Sequence, residues 1–248
     1  MKVAVCLSGH IRNFSDCKES FINHIVKQYN PDIFIHTWDE YGYGRNGSPT
    51  NPINEKTKLC IEKNKHLGFS QNTEILRGTP KIDQELFSDL NVKEMVIESY
   101  DEIEPDILKI AERVVVKDNI DYPPNFISAI RKVKLCNELR KKYEQQNDVH
   151  YDIIIKARPD LMYHNVVIHE NPNQLFTPVN QSYGVMSDIF YYSNSNIIDK
   201  FCTFYDLLET YIEKGYHFNP HRLMLKHLEE TKIPFCKDSQ LNMDILRR

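Results

Sequence analysis

The feature that most constrains the fold is the segment at 151–161, Tyr-Asp-Ile-Ile-Ile-Lys-Ala-Arg-Pro-Asp-Leu. Three consecutive isoleucines between polar residues read as a buried central strand of an α/β sheet. Pro159 has no N–H to give a ladder, so the strand should stop at about Arg158. Asp160 then stands just past the carboxyl end of a core strand, the edge where ligands bind in open α/β sheets. Strand alternation puts Lys156, Arg158 and Asp160 on one side. Three ionisable groups on a core strand and its tip are costly unless they are paired or functional. A carboxylate flanked by these cations suits a divalent cation and a phosphorylated ligand.

The flanking sequence repeats the strand–helix alternation. Residues 3–7 form a short apolar run closed by Ser8-Gly9, a strand and a tight turn. Phe14, Cys17, Phe21, Ile22, Ile25 and Val26 follow the helical period, which predicts a helix over about 15–29, ended by Asn30-Pro31. A second strand follows over 32–38. Strand, helix and strand at this spacing make a βαβ unit with a parallel pair and a right-handed crossover. A third strand is expected over about 92–98, and 108–116 reads either way. A long helix over about 126–145 leads into the triple-isoleucine strand. After it come a strand at 190–192, helices over 197–211 and 223–230, and a short edge segment at 233–235. The stretch 41–54 collects Gly42, Gly44, Gly47, Pro49 and Pro52 around Arg45, and reads as a loop able to move over the site. The fold class expected is α/β, a mixed, mainly parallel central sheet flanked by helices.

Composition removes several alternatives. With 248 residues and a net charge of -4, the chain lacks the basic footprint of a nucleic-acid binder. Cysteines at 6, 17, 60, 136, 202 and 236 show no C-x-x-C spacing, which favours reduced thiols over a disulfide framework or structural zinc. The start has too short an apolar run for a signal peptide, and no window approaches a membrane span. A cytoplasmic protein beginning with its first strand is expected.

Four further clusters can carry chemistry. Ser8, Gly9, His10 and Arg12 follow the first strand. Gly9 allows close backbone approach, and Arg12 can present a guanidinium fork to phosphate; the same residues also read as a turn with a solvated Arg. At the end of the second strand, Trp38 can stack on a base or sugar ring or pack in the core, and His36 reads as structural. Asp188 opens an aromatic strand, where it can take a proton from a sugar hydroxyl or cap a turn, and Phe190, Tyr191 and Tyr192 can stack on sugars. Finally, His217 and His221 flank Asn219-Pro220, close enough in sequence to share a site and, with Asp160, to bind a metal; they equally suit a surface helix start.

Taken in order, residues 7–14 (Leu-Ser-Gly-His-Ile-Arg-Asn-Phe), 32–39 (Asp-Ile-Phe-Ile-His-Thr-Trp-Asp), the Lys-Ala-Arg-Pro-Asp-Leu of 156–161, the Ser-Asp-Ile-Phe-Tyr of 187–191 and the Asn-Pro-His of 219–221 resemble the small GT-A-type glycosyltransferases of giant viruses and bacterial surface-polysaccharide loci. Residues 40–125 are largely outside the resemblance. It implies a single GT-A-like, Rossmann-like domain over 1–248, with a nucleotide-binding half over about 1–160 and an acceptor-binding half over about 161–248. The activity implied is sugar transfer from a nucleoside-diphosphate sugar, UDP-linked, to a glycan or glycoprotein acceptor, in the cytoplasm (the host's, for a viral protein). Ser8, Gly9, His10, Arg12, Trp38, Lys156, Arg158 and Asp160 would bind the donor. Asp188 would be the base of an inverting transfer, and Tyr191, Tyr192 and His221 would meet the acceptor. A divalent cation, Mn²⁺ or Mg²⁺, would sit at Asp160, with His217 or His221 as further ligands.

Two positions depart from that pattern. GT-A enzymes commonly carry Asp-x-Asp where this chain has Arg158-Pro159-Asp160, and one carboxylate binds metal weakly, so Arg158 or Lys156 can neutralise the diphosphate instead. Relatives also often place Glu where His221 stands. Two other functions stay open from the residues alone: a nucleotidyltransferase, which would need a second metal-binding carboxylate, and a non-catalytic module that keeps the fold and binds nucleotide sugar or carbohydrate.

Overall fold

The computed structural model describes residues 1–42, 81–114, 123–179 and 186–246. β1 (Val3–Ser8) is followed by α1 (Phe14–Phe21), which runs on through a π-helical turn (Ile22–Val26) and a last α-segment (Lys27–Tyr29). Asn30 ends it in the left-handed conformation at φ 42°, immediately before Pro31. β2 (Asp32–Trp38), β3 (Val92–Glu98), α2 (Tyr100–Ala111), α3 (Pro123–Asn147) and β4 (Ile153–Ala157) complete the first part. β5 (Leu161–Val166), β6 (Leu175–Pro178), β7 (Phe190–Ser193), α4 (Ser195–Cys202), α5 (Phe204–Glu213), α6 (Pro220–Thr231), β8 (Phe235–Asp238) and β9 (Leu241–Ile245) follow.

Seven strands form one sheet in the order β3-β2-β1-β4-β7-β6-β8. The β1–β2, β1–β4, β2–β3 and β6–β8 pairs are parallel, while β7 runs antiparallel to both β4 and β6. The sheet is therefore mixed and mainly parallel, as the strand–helix alternation predicts, and it continues across the division near residue 160. β5 and β9 make a separate antiparallel ribbon.

Two apolar layers explain why the inner strands carry apolar residues on both faces. Val3, Val5 and Leu7 of β1 and the odd-numbered isoleucines of β2 and β4 pack with Phe14, Phe21 and Ile25 of the first helix and with Leu161, Tyr163, Leu241 and Met243 of the ribbon. Ala4, Cys6, Phe34 and Ile154 face the other way, onto Ile127, Ile130 and Cys136 of α3 and the helices α4–α6. β3, half-buried along its length, is the sheet edge, and its Lys93 and Glu94 suit an edge.

Several expectations need correction. The ambiguous stretch at 108–116 belongs in part to α2, whose Pro105 sits inside the helix. The helix expected over 197–211 is two helices that meet at Thr203. β5, β6 and β9 were not expected; β6 has only four residues, and β5 and β9 pair with each other across a long sequence separation. The edge segment expected at 233–235 begins slightly later, as β8. In the glycine-rich loop at 41–54, residues 43–54 lie outside the described residues, as does Cys60. None of the five described cysteines is in a disulfide. Among the described residues no helix is long and apolar enough to cross a membrane.

Candidate functional site

The strand order fixes where a crevice opens. From β1 the chain crosses to β2 on one side, and β4 pairs with β1 on the other. The segments leaving β1 and β4 thus part at their carboxyl ends, the switch point at which open α/β sheets bind ligands. Residues 9–13 leave β1 here, and Arg158, Pro159 and Asp160 leave β4. Because β7 is antiparallel to β4, its amino end lies at this same edge and brings Asp188 and Ile189 alongside.

The turn after β1 is held by its own chemistry. Gly9 has φ 108° and Arg12 φ 47°, both in the left-handed region. Gly9 N donates to His36 O at 3.2 Å, and Thr37 Oγ1 donates to Gly9 O at 2.8 Å. Arg12 is anchored on the segment that leaves β2: its backbone N donates to Tyr41 O at 2.8 Å and its Nε to Gly42 O at 3.2 Å. Gly42, at φ 64°, lies flat against the His10 ring, and a Cβ there would stand 2.0 Å from His10 Nδ1.

Arg12 then reaches Asp160, 148 residues away: Nη1 donates to Oδ2 at 2.8 Å. Arg158 grips the same carboxylate with two bonds, Nε to Oδ1 at 2.9 Å and Nη2 to Oδ2 at 2.6 Å. Asp160 is 1% exposed, whereas the Arg12 and Arg158 side chains are 23% and 21% exposed. A buried carboxylate therefore sits beneath two guanidiniums whose outer edges reach solvent. Burial alone would raise the Asp160 pKa; the charges of Arg158 and Arg12 outweigh it and hold the carboxyl well below the usual carboxylate range. The backbone is tied in as well, with Leu246 N donating to Asp160 O at 3.0 Å and Asn13 Nδ2 to Leu246 O at 3.0 Å.

Lys156 plays a different part from the one expected. It is 5% exposed, and its ammonium donates to the backbone carbonyls of Asp188 and Ile189. Burial lowers its pKa to about 8, against the favourable charge of Asp188. Rather than facing a ligand, it props the strand-leading segment that carries Asp188, which Arg158 N also holds by donating to Ile189 O at 3.0 Å. The Asp188 side chain is half-buried, and its charge favours the cationic forms of both Lys156 and Arg158. Arg12, Lys156, Arg158, Asp160 and Asp188 are thus one electrostatic group, with three cations against two carboxylates.

The aromatic residues are not brought to this group. Trp38 is 1% exposed, with the Lys132 ammonium 3.4 Å from its ring centroid and Tyr100 edge-on at 4.9 Å. It is a core residue here, the packing alternative its position allowed, and not the donor contact the resemblance implies. Tyr191 and Tyr192 lie on β7, an interior strand covered on both faces. Tyr191 packs edge-on against Phe201 at 4.9 Å, Tyr192 stacks on Phe176 at 5.1 Å, and the Tyr192 hydroxyl accepts from His169 N. Neither ring is open to an acceptor.

The histidines near α6 do not form a metal site with Asp160. His221 Nδ1 lies 3.2 Å from Met186 O, linking the first turn of α6 to the segment before Asp188, and His217 is half-buried. Asn219 caps the helix by accepting from Arg222 N at 3.1 Å. Among the described residues no group of three or more His, Cys, Asp or Glu side chains is arranged to hold a metal ion. Asp160 itself has both oxygens taken by guanidinium donors, so the residues present do not fit a divalent cation.

A support that sequence reasoning missed lies under the tips of β2 and β3. Lys132, 0% exposed, donates to Thr37 O and to Glu98 Oε2, both at 2.8 Å. Arg131 holds Glu98 with two bonds, at 2.6 and 3.1 Å. Burial would raise the Glu98 pKa, but these donors bring it down to about 2, while burial lowers Lys132 to about 7. His36, buried beside them, is lowered to about 3 by burial first and the Lys132 charge second. The available signal was helical spacing: Lys132, Cys136 and Arg140 recur every four residues and share one face of α3. His36 is the register partner of Ser8, and His36 Nδ1 and Ser8 Oγ are buried without a hydrogen-bond partner among the described residues. The chain matches no protein-family model and no curated protein.

Proposed function

We propose that this protein is a GT-A-like glycosyltransferase that moves a sugar from a nucleoside-diphosphate donor, UDP-linked, to the hydroxyl of a glycan or glycoprotein acceptor. The observation that carries the reading is the convergence of Arg12, Arg158 and Asp188 at one switch point, from three segments far apart in sequence. A diphosphate placed over Arg12 and Arg158 has its developing negative charge met by guanidinium forks as the bond to the sugar breaks. Asp188 takes the proton of the attacking hydroxyl. The acceptor oxygen bonds to the anomeric carbon as the carbon–oxygen bond to the diphosphate breaks. The electron pair leaves with the nucleoside diphosphate, the proton ends on Asp188, and the configuration inverts. Because the leaving group needs no protonation, one base suffices, unlike the carboxylate pair of a glycoside hydrolase.

The test is a screen of nucleotide sugars with release of nucleoside diphosphate as readout, run on wild type and on Asp188→Asn. The variant is expected to lose on the order of 10²-fold or more in rate with nucleotide affinity retained. Transfer by a folded Asp188→Asn protein at the wild-type rate would refute the base assignment. Release of pyrophosphate would make the protein a nucleotidyltransferase, and binding without any turnover would make it a nucleotide-sugar-binding module.

A further inference from the structure

We infer that the Arg12–Asp160–Arg158 triad is a metal-independent clamp for the diphosphate of a nucleotide, in which Asp160 is a positioning residue that never meets a cation. The inference rests on the nucleotide-binding reading of this edge and deepens it by naming what replaces the metal.

The geometry assigns the roles. Asp160 accepts one bond from Arg12 and two from Arg158, which fixes two guanidiniums side by side. Arg158 offers five N–H groups; Nε and one from Nη2 go to Asp160, and Nη1 has no partner among the described residues. The carboxylate is buried while both cationic side chains keep about a fifth of their surface exposed. The triad carries a net charge of about +1 directed outward, which attracts an anion and repels Mg²⁺ or Mn²⁺. A divalent ion at Asp160 would have to displace at least one guanidinium, leaving a cation beside the metal. The rest of the fold holds this arrangement from both sides. Arg12 is anchored on the carbonyls of Tyr41 and Gly42, and Arg158 on that of Ile189. Leu246 N closes on the Asp160 carbonyl from below. A fork-shaped donor set also makes the clamp selective. It fits two oxygens of a phosphate bidentately, where a lysine would act only as a point charge.

The experiment is binding of UDP, and of inorganic pyrophosphate as the minimal probe, to the full chain by calorimetry, in EDTA and in excess MnCl₂. UDP affinity is expected to agree within about threefold between the two conditions. Arg158→Lys, which keeps the charge and loses the fork, is expected to weaken UDP at least tenfold with little change in melting temperature. Arg12→Lys serves as a second variant with the same expectation. UDP binding that EDTA abolishes, an Arg158→Lys protein that binds UDP as tightly as wild type, or no binding of either probe under any condition would each overturn the clamp. Sugar transfer is measured in parallel, so the two readings fail separately. Turnover that requires Mn²⁺ removes the clamp and leaves the transferase. Metal-free UDP binding without turnover of any nucleotide sugar keeps the clamp and removes the transferase.

Discussion

Replacing Asp160 by Asn tests how the charges at the switch point are balanced. The substitution conserves shape and leaves one carbonyl oxygen to accept from a guanidinium, but it removes the carboxylate that bonds both Arg12 and Arg158. Breaking a buried ion pair by deleting one partner costs about 3–5 kcal/mol. Here the two cations keep roughly a fifth of their surface in water, and that screening brings the expected cost to about 2–4 kcal/mol. For a chain of this length, about 2–4 °C of melting temperature accompanies each kcal/mol, so the midpoint should fall by about 4–16 °C. The sign with pH follows from the lowered pKa of Asp160. The folded value lies below the unfolded one, so the stabilisation is complete above about pH 4 and fades only as pH falls toward the folded value. The variant should therefore be less stable than wild type throughout the neutral range, and the difference should narrow in acid. An anion supplies what the mutation removed: pyrophosphate should raise the variant's melting temperature by more than it raises that of wild type. Thermal melts at pH 7 and pH 2, with and without pyrophosphate, read all of this. A variant within 1 °C of wild type, or one that pyrophosphate does not rescue, would refute the reasoning.

Other consequences are as direct. His227 is fully buried; with its Nε2–H donating to Phe201 O and Nδ1 accepting from the Tyr211 hydroxyl, both at 2.9 Å, the ring is neutral, and burial lowers its pKa to about 4. Its contribution is whole above about pH 6.5 and is lost as pH falls toward 4, so stability should drop by about 2 kcal/mol between pH 7 and pH 5 on its account; a His227→Gln protein should show that much less acid sensitivity in urea titrations. Glu98→Gln leaves the fully buried Lys132 without a counter-charge and should cost about 3–5 kcal/mol, whereas Lys132→Met leaves Glu98 with Arg131 and should cost about half as much; denaturant midpoints of the two variants give the order. Gly42→Ala drives a Cβ into the His10 ring and forces a left-handed backbone, so it should lose about 1–3 kcal/mol in melts and weaken UDP as Arg12 comes off its anchors.

What sequence pattern made readable, and what it left hidden, follows from the range of each interaction. The bounds of β2 and β3 and the long α3 were readable because their apolar period is local and their ends carry Pro, Asn or charge. β6 stayed hidden because four residues show no period, and the β5–β9 ribbon because its two strands are joined only in space. At the site, the carboxyl-edge position of Asp160 and the turn at Gly9 and Arg12 were legible from strand ends. The contact between Arg12 and Asp160 was not, since no local rule pairs residues 148 apart. Trp38, Tyr191 and Tyr192 were misplaced for a related reason. Aromatic rings at strand tips look available until the neighbouring elements are known, and here Tyr100, Lys132, Phe201 and Phe176 cover them.

Lys156 shows why the charged pattern was informative even where its role was misread. A lysine on an interior strand is costly to bury, and the fold keeps it by giving its ammonium two backbone carbonyls at the head of β7. Those carbonyls belong to Asp188 and Ile189, so the buried cation determines where the half-buried carboxylate of Asp188 stands relative to Arg158. Reversal of β7 against β4 is what makes this possible, because a parallel strand would deliver its carboxyl end, not its amino end, to the switch point. Lys156→Met should therefore act on Asp188 through position. It would take the ammonium from the Asp188 carbonyl, leave Ile189 O only its bond from Arg158 N, and loosen the 188–189 segment, while Arg12, Arg158 and Asp160 keep their own bonds. Sugar transfer should fall by about tenfold or more through kcat, with UDP affinity within about threefold of wild type. A loss confined to UDP affinity would instead make Lys156 a direct phosphate contact and return it to the role its sequence position first suggested.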